Sequence, residues 1–246
     1  MKKQTPLPLI RALDSLSLKS DTGSIRELLF GYGSGLNLNC LNWPGEFPYA
    51  PETRLSLGRS SSGIYLHFEV EEKEKRTSHF SDNAPVWQDS CVEFFVALPS
   101  EEEYLNFEFN SLGYCLAARR KSREEYVLFS SEQLALIERI PGSADICREA
   151  GPESSPGLMM LKPEAGDKPA DIRTKAKGKP AQAWSLTIYL PFVLLGLDCE
   201  CLPPVLKANF YKCCSACSEK HYLSWSPVHS EKPDFHRPQD FGHLLI

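Results

Sequence analysis

The stretch Ile64-Tyr65-Leu66-His67-Phe68-Glu69-Val70 alternates between apolar and mostly polar positions. Ile64, Leu66, Phe68 and Val70 fall on one face, and Tyr65, His67 and Glu69 on the other. A period of two marks a strand with one side against a core. Residues 91–98 repeat it, with Val92, Phe94, Val96 and Leu98 on one face and Glu93 and Phe95 on the other. Leu105-Asn106-Phe107-Glu108-Phe109-Asn110 and Trp184-Ser185-Leu186-Thr187-Ile188-Tyr189-Leu190 follow the same rule, and residues 205–211 form a further candidate. Glycine and proline punctuate the intervals, so the pattern predicts antiparallel strands and not βαβ units.

Helical signal is thin. Residues 132–140 and 191–197 are expected to form one or two short helices, the second with Pro191 in its first turn and Gly196 near its end. Residues 142–182 are rich in Pro, Gly, Lys, Asp and Glu, and are expected to be a flexible insertion in a single domain spanning 1–246.

Composition narrows the function classes. The 246 residues are 42% hydrophobic, and no apolar run approaches the ~18 residues of a membrane span. A net charge of −5 gives no overall positive field, so neither a membrane nor nucleic acid is an expected partner. Met1-Lys2-Lys3 is followed by Gln4-Thr5-Pro6-Leu7-Pro8, with Arg11 and Asp14 interrupting any apolar segment. With no export signal visible and an odd count of nine cysteines, reduced thiols and a cytoplasmic location are expected.

Trp87 precedes the strand that carries Glu93, and Asn106, Glu108 and Asn110 point away from the core side of the next strand. If the two strands are neighbours, Glu93 and this ladder line one surface. Such groups, with an aromatic ring beside them, recognise sugar hydroxyls and the C–H face of a pyranose. The same alternation equally describes an ordinary solvated sheet face. Near the C-terminus, Trp225 stands where proline at 227 ends a strand, free to face either a groove or the core.

The run Trp87-Gln88-Asp89-Ser90-Cys91-Val92-Glu93-Phe94-Phe95 is followed in order by Asn106-Phe107-Glu108-Phe109-Asn110 and Ala208-Asn209-Phe210-Tyr211-Lys212. Leu223-Ser224-Trp225-Ser226-Pro227 and Phe235-His236-Arg237-Pro238-Gln239-Asp240-Phe241-Gly242 complete the series. Together they resemble the family 9 carbohydrate-binding modules, in particular the stand-alone family-9-like proteins of the DOMON-like group. The resemblance runs from about Pro44 to Ile246 and is interrupted by residues 142–182. It implies an all-β, jelly-roll-like β-sandwich. It also implies non-catalytic binding of a mono- or oligosaccharide between two tryptophans, linked to carbohydrate catabolism. Trp87 matches the tryptophan before the strand, Glu93 the strand carboxylate and Trp225 the second tryptophan. Asn106 and Asn110 match polar contacts, and Arg119 the arginine. No cofactor is required, although structural calcium and secretion are also implied.

Two other uses of these residues compete. Glu93 and Glu108 could serve as the carboxylate pair of a glycoside hydrolase. Cys213, Cys214 and Cys217 with His221, and His229 and His236 flanking Asp234, could form a metal or redox site. Haem is disfavoured, because methionine occurs only at 1, 159 and 160. Arg237 is expected to bond loop carbonyls at the rim.

Overall fold

Each alternating stretch forms a strand in the computed structural model, which describes residues 2–98, 102–143 and 181–246. The first half contains β1 (Gln4–Pro6), α1 (Leu18–Tyr32), β2 (Ser34–Asn37), β3 (Cys40–Leu41), β4 (Glu52–Arg59) and β5 (Gly63–Glu72). Then come β6 (Cys91–Ala97), β7 (Tyr104–Asn110), β8 (Cys115–Arg120), β9 (Tyr126–Leu128), α2 (Ser131–Ala135) and β10 (Glu138–Gly142). The last group is β11 (Gln182–Pro191), β12 (Val205–Cys214), β13 (His221–Ser224) and β14 (Gly242–Leu245).

Two sheets face each other. The first runs β1-β14-β12-β6-β7-β8-β9, with β13 pairing both β12 and β3, and the second runs β10-β11-β5-β4-β2. Among the named strands all pairings are antiparallel except β1 with β14, which is parallel. Between the sheets, Ile64, Leu66, Phe68 and Val70 meet Val92, Phe94, Val96, Phe107, Phe109 and Phe210, all buried. Phe94 stacks on Phe210 with ring centroids 5.0 Å apart and on Phe107 at 6.2 Å. Each such ring, fully removed from water, contributes about 2–3 kcal/mol. This is the all-β, jelly-roll-like sandwich that the sequence predicts.

The helices differ from expectation. Residues 132–140 do not form one helix: α2 ends at Ala135, and Glu138–Gly142 pairs as β10 with β11. Pro141 cannot continue a helix, but an edge strand tolerates it. Residues 192–195 form a 3₁₀ turn closed by Gly196 at φ 65°, a left-handed position that suits glycine. The 15-residue α1 was not foreseen, because Ser20, Thr22, Gly23 and Ser24 favour non-helical backbone. Tertiary packing forms it: Leu18, Ile25 and Leu29 bury against Ile10, Leu13 and Tyr65 on the outer face of the second sheet. No helix among the described residues is long and apolar enough to cross a membrane. Gly142 and Gln182 belong to strands, and the rest of the expected insertion lies, except for its first residue and residue 181, outside the described residues.

On that outer face His67 is buried beside Phe30, with Nδ1 2.9 Å from Thr187 Oγ1. Burial, with Arg26 adding, drives its pKa down from 6.5 to about 3. The folded state therefore refuses a proton that the unfolded chain accepts below pH 6.5. Its stabilising contribution is full above pH 6.5 and is lost as pH falls from there towards 3, by up to about 1.4 kcal/mol per pH unit. We expect urea unfolding of His67→Gln between pH 6.5 and 4 to show a shallower loss of stability than the parent. An identical slope would mean that His67 does not resist protonation.

Candidate functional site

The face of the first sheet that turns away from the shared core carries Cys91, Glu93, Phe95, Asn106, Glu108 and Asn110, and it is not solvated. Trp43, Val228, Phe235 and Phe241 from connecting segments roof it and form a second apolar cluster. Its polar residues are therefore buried and need partners. Register places Glu93 directly opposite Glu108 on one side and Tyr211 on the other.

Where the roof opens, a cavity of about 270 Å³ remains. Its walls include Trp87, Glu93, Glu108, Arg120, Tyr126 and His236. Arg123, Cys213, Tyr222 and Asp234 also border it. Trp87 lies in the 3₁₀ turn Val86–Gln88 and is 39% exposed. The turn is anchored where Ser215 N donates to Trp87 O at 3.1 Å and Ala216 N to Gln88 O at 3.2 Å. The buried Asp89 carboxylate accepts from Ser78 N, His79 N and Asn110 Nδ2 at 2.9, 3.0 and 3.1 Å. A fixed turn thus holds a ring out towards the cavity.

The floor is acidic and buried. Burial, the Cys213 thiol and Glu108 raise the pKa of Glu93 well above the carboxylate range, and Cys213 Sγ donates to Glu93 Oε1 at 3.1 Å. Burial also lifts Glu108, opposed by Arg120 and by Asn106, to about 7. Asn106 Nδ2 donates to Glu108 Oε1 at 2.9 Å, while its Oδ1 accepts from Arg120 Nε at 2.7 Å. Among the described residues, Glu108 Oε2 is buried without a hydrogen-bond partner. Arg120 lies over the Tyr126 ring, 4.2 Å from its centroid, and Tyr126 is 48% exposed. Burial, with Arg120 and Arg123 near, holds His236 neutral by lowering its pKa to about 3.

The residues expected at the site divide accordingly. Trp87, Glu93 and Glu108 border one cavity, and Asn106 orients two of its groups from behind. Trp225 does not face a groove: it is 3% exposed, packed in the core at 5.9 Å from Phe210. Gly242 leaves room for its indole, since a Cβ there would approach within 2.5 Å of Trp225 Cζ3. Asn110 does not line the cavity either. Its Oδ1 accepts from Leu112 N and Tyr114 N at 3.1 Å each, which closes the turn after β7. Arg119 is on the wrong side of β8, paired with Glu103, and Arg120 takes the cavity position because successive strand residues face opposite ways.

The thiol and histidine readings also change. Cys214 and Cys217 form a disulfide, which corrects the expectation that all thiols are reduced. Cys213 faces Glu93, and His221 Nε2 is 3.0 Å from Lys212 Nζ, so these four residues do not converge on a metal. Arg237 pairs with the Asp240 carboxylate at 2.8 Å and, among the described residues, with no loop carbonyl. His229 Nδ1 approaches Asp240 at 3.0 Å, so it joins that rim cluster instead of one around Asp234. Among the described residues, Cys91, Glu93 and Cys213 are the one group of three or more His, Cys, Asp or Glu that converges. A donor set with two thiols does not suit calcium, which takes six to eight oxygens.

Arg120, Arg123, Tyr126, Tyr222 and Asp234 were not foreseen. Parity along β8 could have found Arg120, but the short segment around Tyr126 offers no alternation. A larger, shallower groove of about 770 Å³ beside β2 and β4 holds the Glu52–Arg54 ion pair and one exposed ring, Phe30. It lacks an exposed ring set against buried carboxylates.

Comparison with known proteins agrees with this architecture. A family model for carbohydrate-binding family 9 matches residues 33–152 and 171–246. A Bacteroides uniformis protein proposed to bind carbohydrate is similar over 100% of this chain and 99% of its own, with 26% identity and a TM-score of 0.75. A family 9 module from Caldicellulosiruptor kristjanssonii, solved with glucose, is similar over 99% of this chain and 95% of its own. At 10% identity and a TM-score of 0.50 it shares the fold. Comparison with curated proteins finds no match. Since the family model spans most of the sequence, the chain belongs to carbohydrate-binding family 9.

Proposed function

We propose that the protein binds a mono- or oligosaccharide, without cleaving it, in the cavity bordered by Trp87 and Tyr126. The observation that carries this reading is the buried, unpaired Glu108 Oε2 at a cavity that also presents a 39% exposed tryptophan. A buried acceptor without a partner costs about 1–3 kcal/mol, which a sugar hydroxyl would relieve. The Trp87 ring supplies the apolar platform for the C–H face, Tyr126 the second ring in place of Trp225, and Arg120, Arg123 and Asp234 further polar contacts. Two rings and two or three hydrogen bonds support affinity in the micromolar to millimolar range. A volume near 270 Å³ suits one or two sugar units. The link to carbohydrate catabolism rests on the family resemblance.

Hydrolysis by Glu93 and Glu108 is the competing use of the same groups. Hydrolases flank the scissile bond with their carboxyls. Here the two side chains are cross-strand neighbours in one floor, and a thiol occupies Glu93. Calorimetry with glucose, xylose and short β-glucans should detect binding, and chromogenic glycosides should release no product. Trp87→Ala should weaken sugar binding at least tenfold, while stability changes by less than about 1 kcal/mol. Undiminished affinity in that variant would remove the platform from the proposal, and steady product release would favour the hydrolase.

A further inference from the structure

We propose that Cys91, Glu93 and Cys213 form a binding site for a thiophilic divalent cation of the zinc class, with a coordination position left open towards the sugar cavity. Cys91 and Glu93 share one face of β6 two residues apart, and Cys213 on β12 is directly opposite Cys91. Their donor atoms all lie within 4.8 Å of one another. Cys213 Sγ is 3.1 Å and Cys91 Sγ 3.9 Å from Glu93 Oε1. A tetrahedral zinc with bonds of about 2.3 Å to sulfur and 2.0–2.2 Å to oxygen needs donor separations of about 3.5–3.8 Å. Small side-chain rotations close that difference.

The chemistry of the donors selects the metal. Two thiolates and one carboxylate suit a borderline-soft cation and not magnesium or calcium. Three protein ligands with a fourth position open is the arrangement of an exchangeable zinc site. Glu93 and Cys213 border the cavity, so an entry path exists, and Cys213 Sγ also lies 3.6 Å from Trp87 O, beneath the sugar platform. The set is built into two paired strands at a buried location, where both thiols contact the Glu93 carboxyl. On binding, three S–H or O–H protons leave to solvent, and the cation takes their place. The remaining negative charge faces Arg120 on β8. No step of sugar binding requires this cation, so the two readings fail separately.

The test uses the full chain with the Cys214–Cys217 disulfide intact and the exposed thiols removed as Cys199→Ser/Cys201→Ser. Cobalt(II) is titrated anaerobically in place of zinc. One equivalent should bind with thiolate-to-cobalt charge-transfer and tetrahedral d–d bands, and zinc should displace it. Cys91→Ser or Cys213→Ser should each halve the charge-transfer intensity and weaken binding at least tenfold, a loss that even outer-shell changes can cause. Glu93→Gln, which retains both thiols, should keep the charge-transfer band but bind about tenfold more weakly. Thermal melts and circular dichroism of the metal-free proteins establish which variants fold. A parent without these bands, or bands unchanged in a folded Cys213→Ser, would overturn the site.

Discussion

Trp225→Ala is expected to lower folding stability by about 3–5 kcal/mol, the range for removing a buried aromatic side chain from a core. The indole is 3% exposed, packs against Phe210 and fills the space above Gly242. The backbone around it is tightly held: Trp225 N donates to Phe210 O at 2.9 Å, and Asn209 bridges to Ser226 N at 2.8 Å. The site therefore cannot collapse, and a cavity remains. Sugar affinity measured per folded molecule should be unchanged, because no atom of Trp225 borders the cavity. Urea unfolding and calorimetry on the same preparation check both halves. A variant that keeps its midpoint but loses sugar would return Trp225 to the binding site. Set beside Trp87→Ala, this gives two tryptophans with opposite readouts, one affecting affinity and the other stability.

The contrast shows what was legible in the sequence. Alternation is a local signal, and it located β5, β6, β7 and β11 with the correct faces because each strand buries one face between the sheets. It also placed Glu93 and Glu108 on a common surface, since antiparallel neighbours with matching parity share a side. It could not tell that this surface is roofed, because Trp43, Val228 and Phe235 come from segments with no period at all. Exposure on the second face is decided by what folds over it. Arg119 and Arg120 illustrate a finer limit. The alanines at 117 and 118 carry too little contrast in hydrophobicity to fix parity, and a shift of one residue moves a side chain to the other face. Likewise α1 has its buried apolar residues at 18, 25 and 29, a spacing compatible with a helix, but Gly23 and the flanking hydroxyl residues obscure it.

Lys212→Met should cost about 3–5 kcal/mol, more than a surface charge could, because it strands a carboxylate between the sheets. Glu72 occupies the last core-facing position of β5, and Lys212 follows Phe210 on the core-facing side of β12. Both are buried, with Lys212 Nζ 2.8 Å from Glu72 Oε2, and the pair bridges one sheet to the other. The ammonium forms the ion pair with Glu72 and hydrogen-bonds to His221 Nε2 and Cys213 O, each at 3.0 Å. The other carboxylate oxygen accepts from Trp184 Nε1 at 2.6 Å. Methionine retains the apolar stem, so the loss combines the uncompensated Glu72 charge with the bonds to His221 Nε2 and Cys213 O. The double variant Lys212→Met/Glu72→Gln keeps an acceptor for Trp184 and carries no buried charge, and it should recover more than half of the lost stability. Unfolding midpoints of the two single variants and the double variant form a complete cycle. A single-variant cost below about 1 kcal/mol, or a double variant no better than Lys212→Met, would mean that the sandwich does not depend on this pair to hold its two sheets at that end.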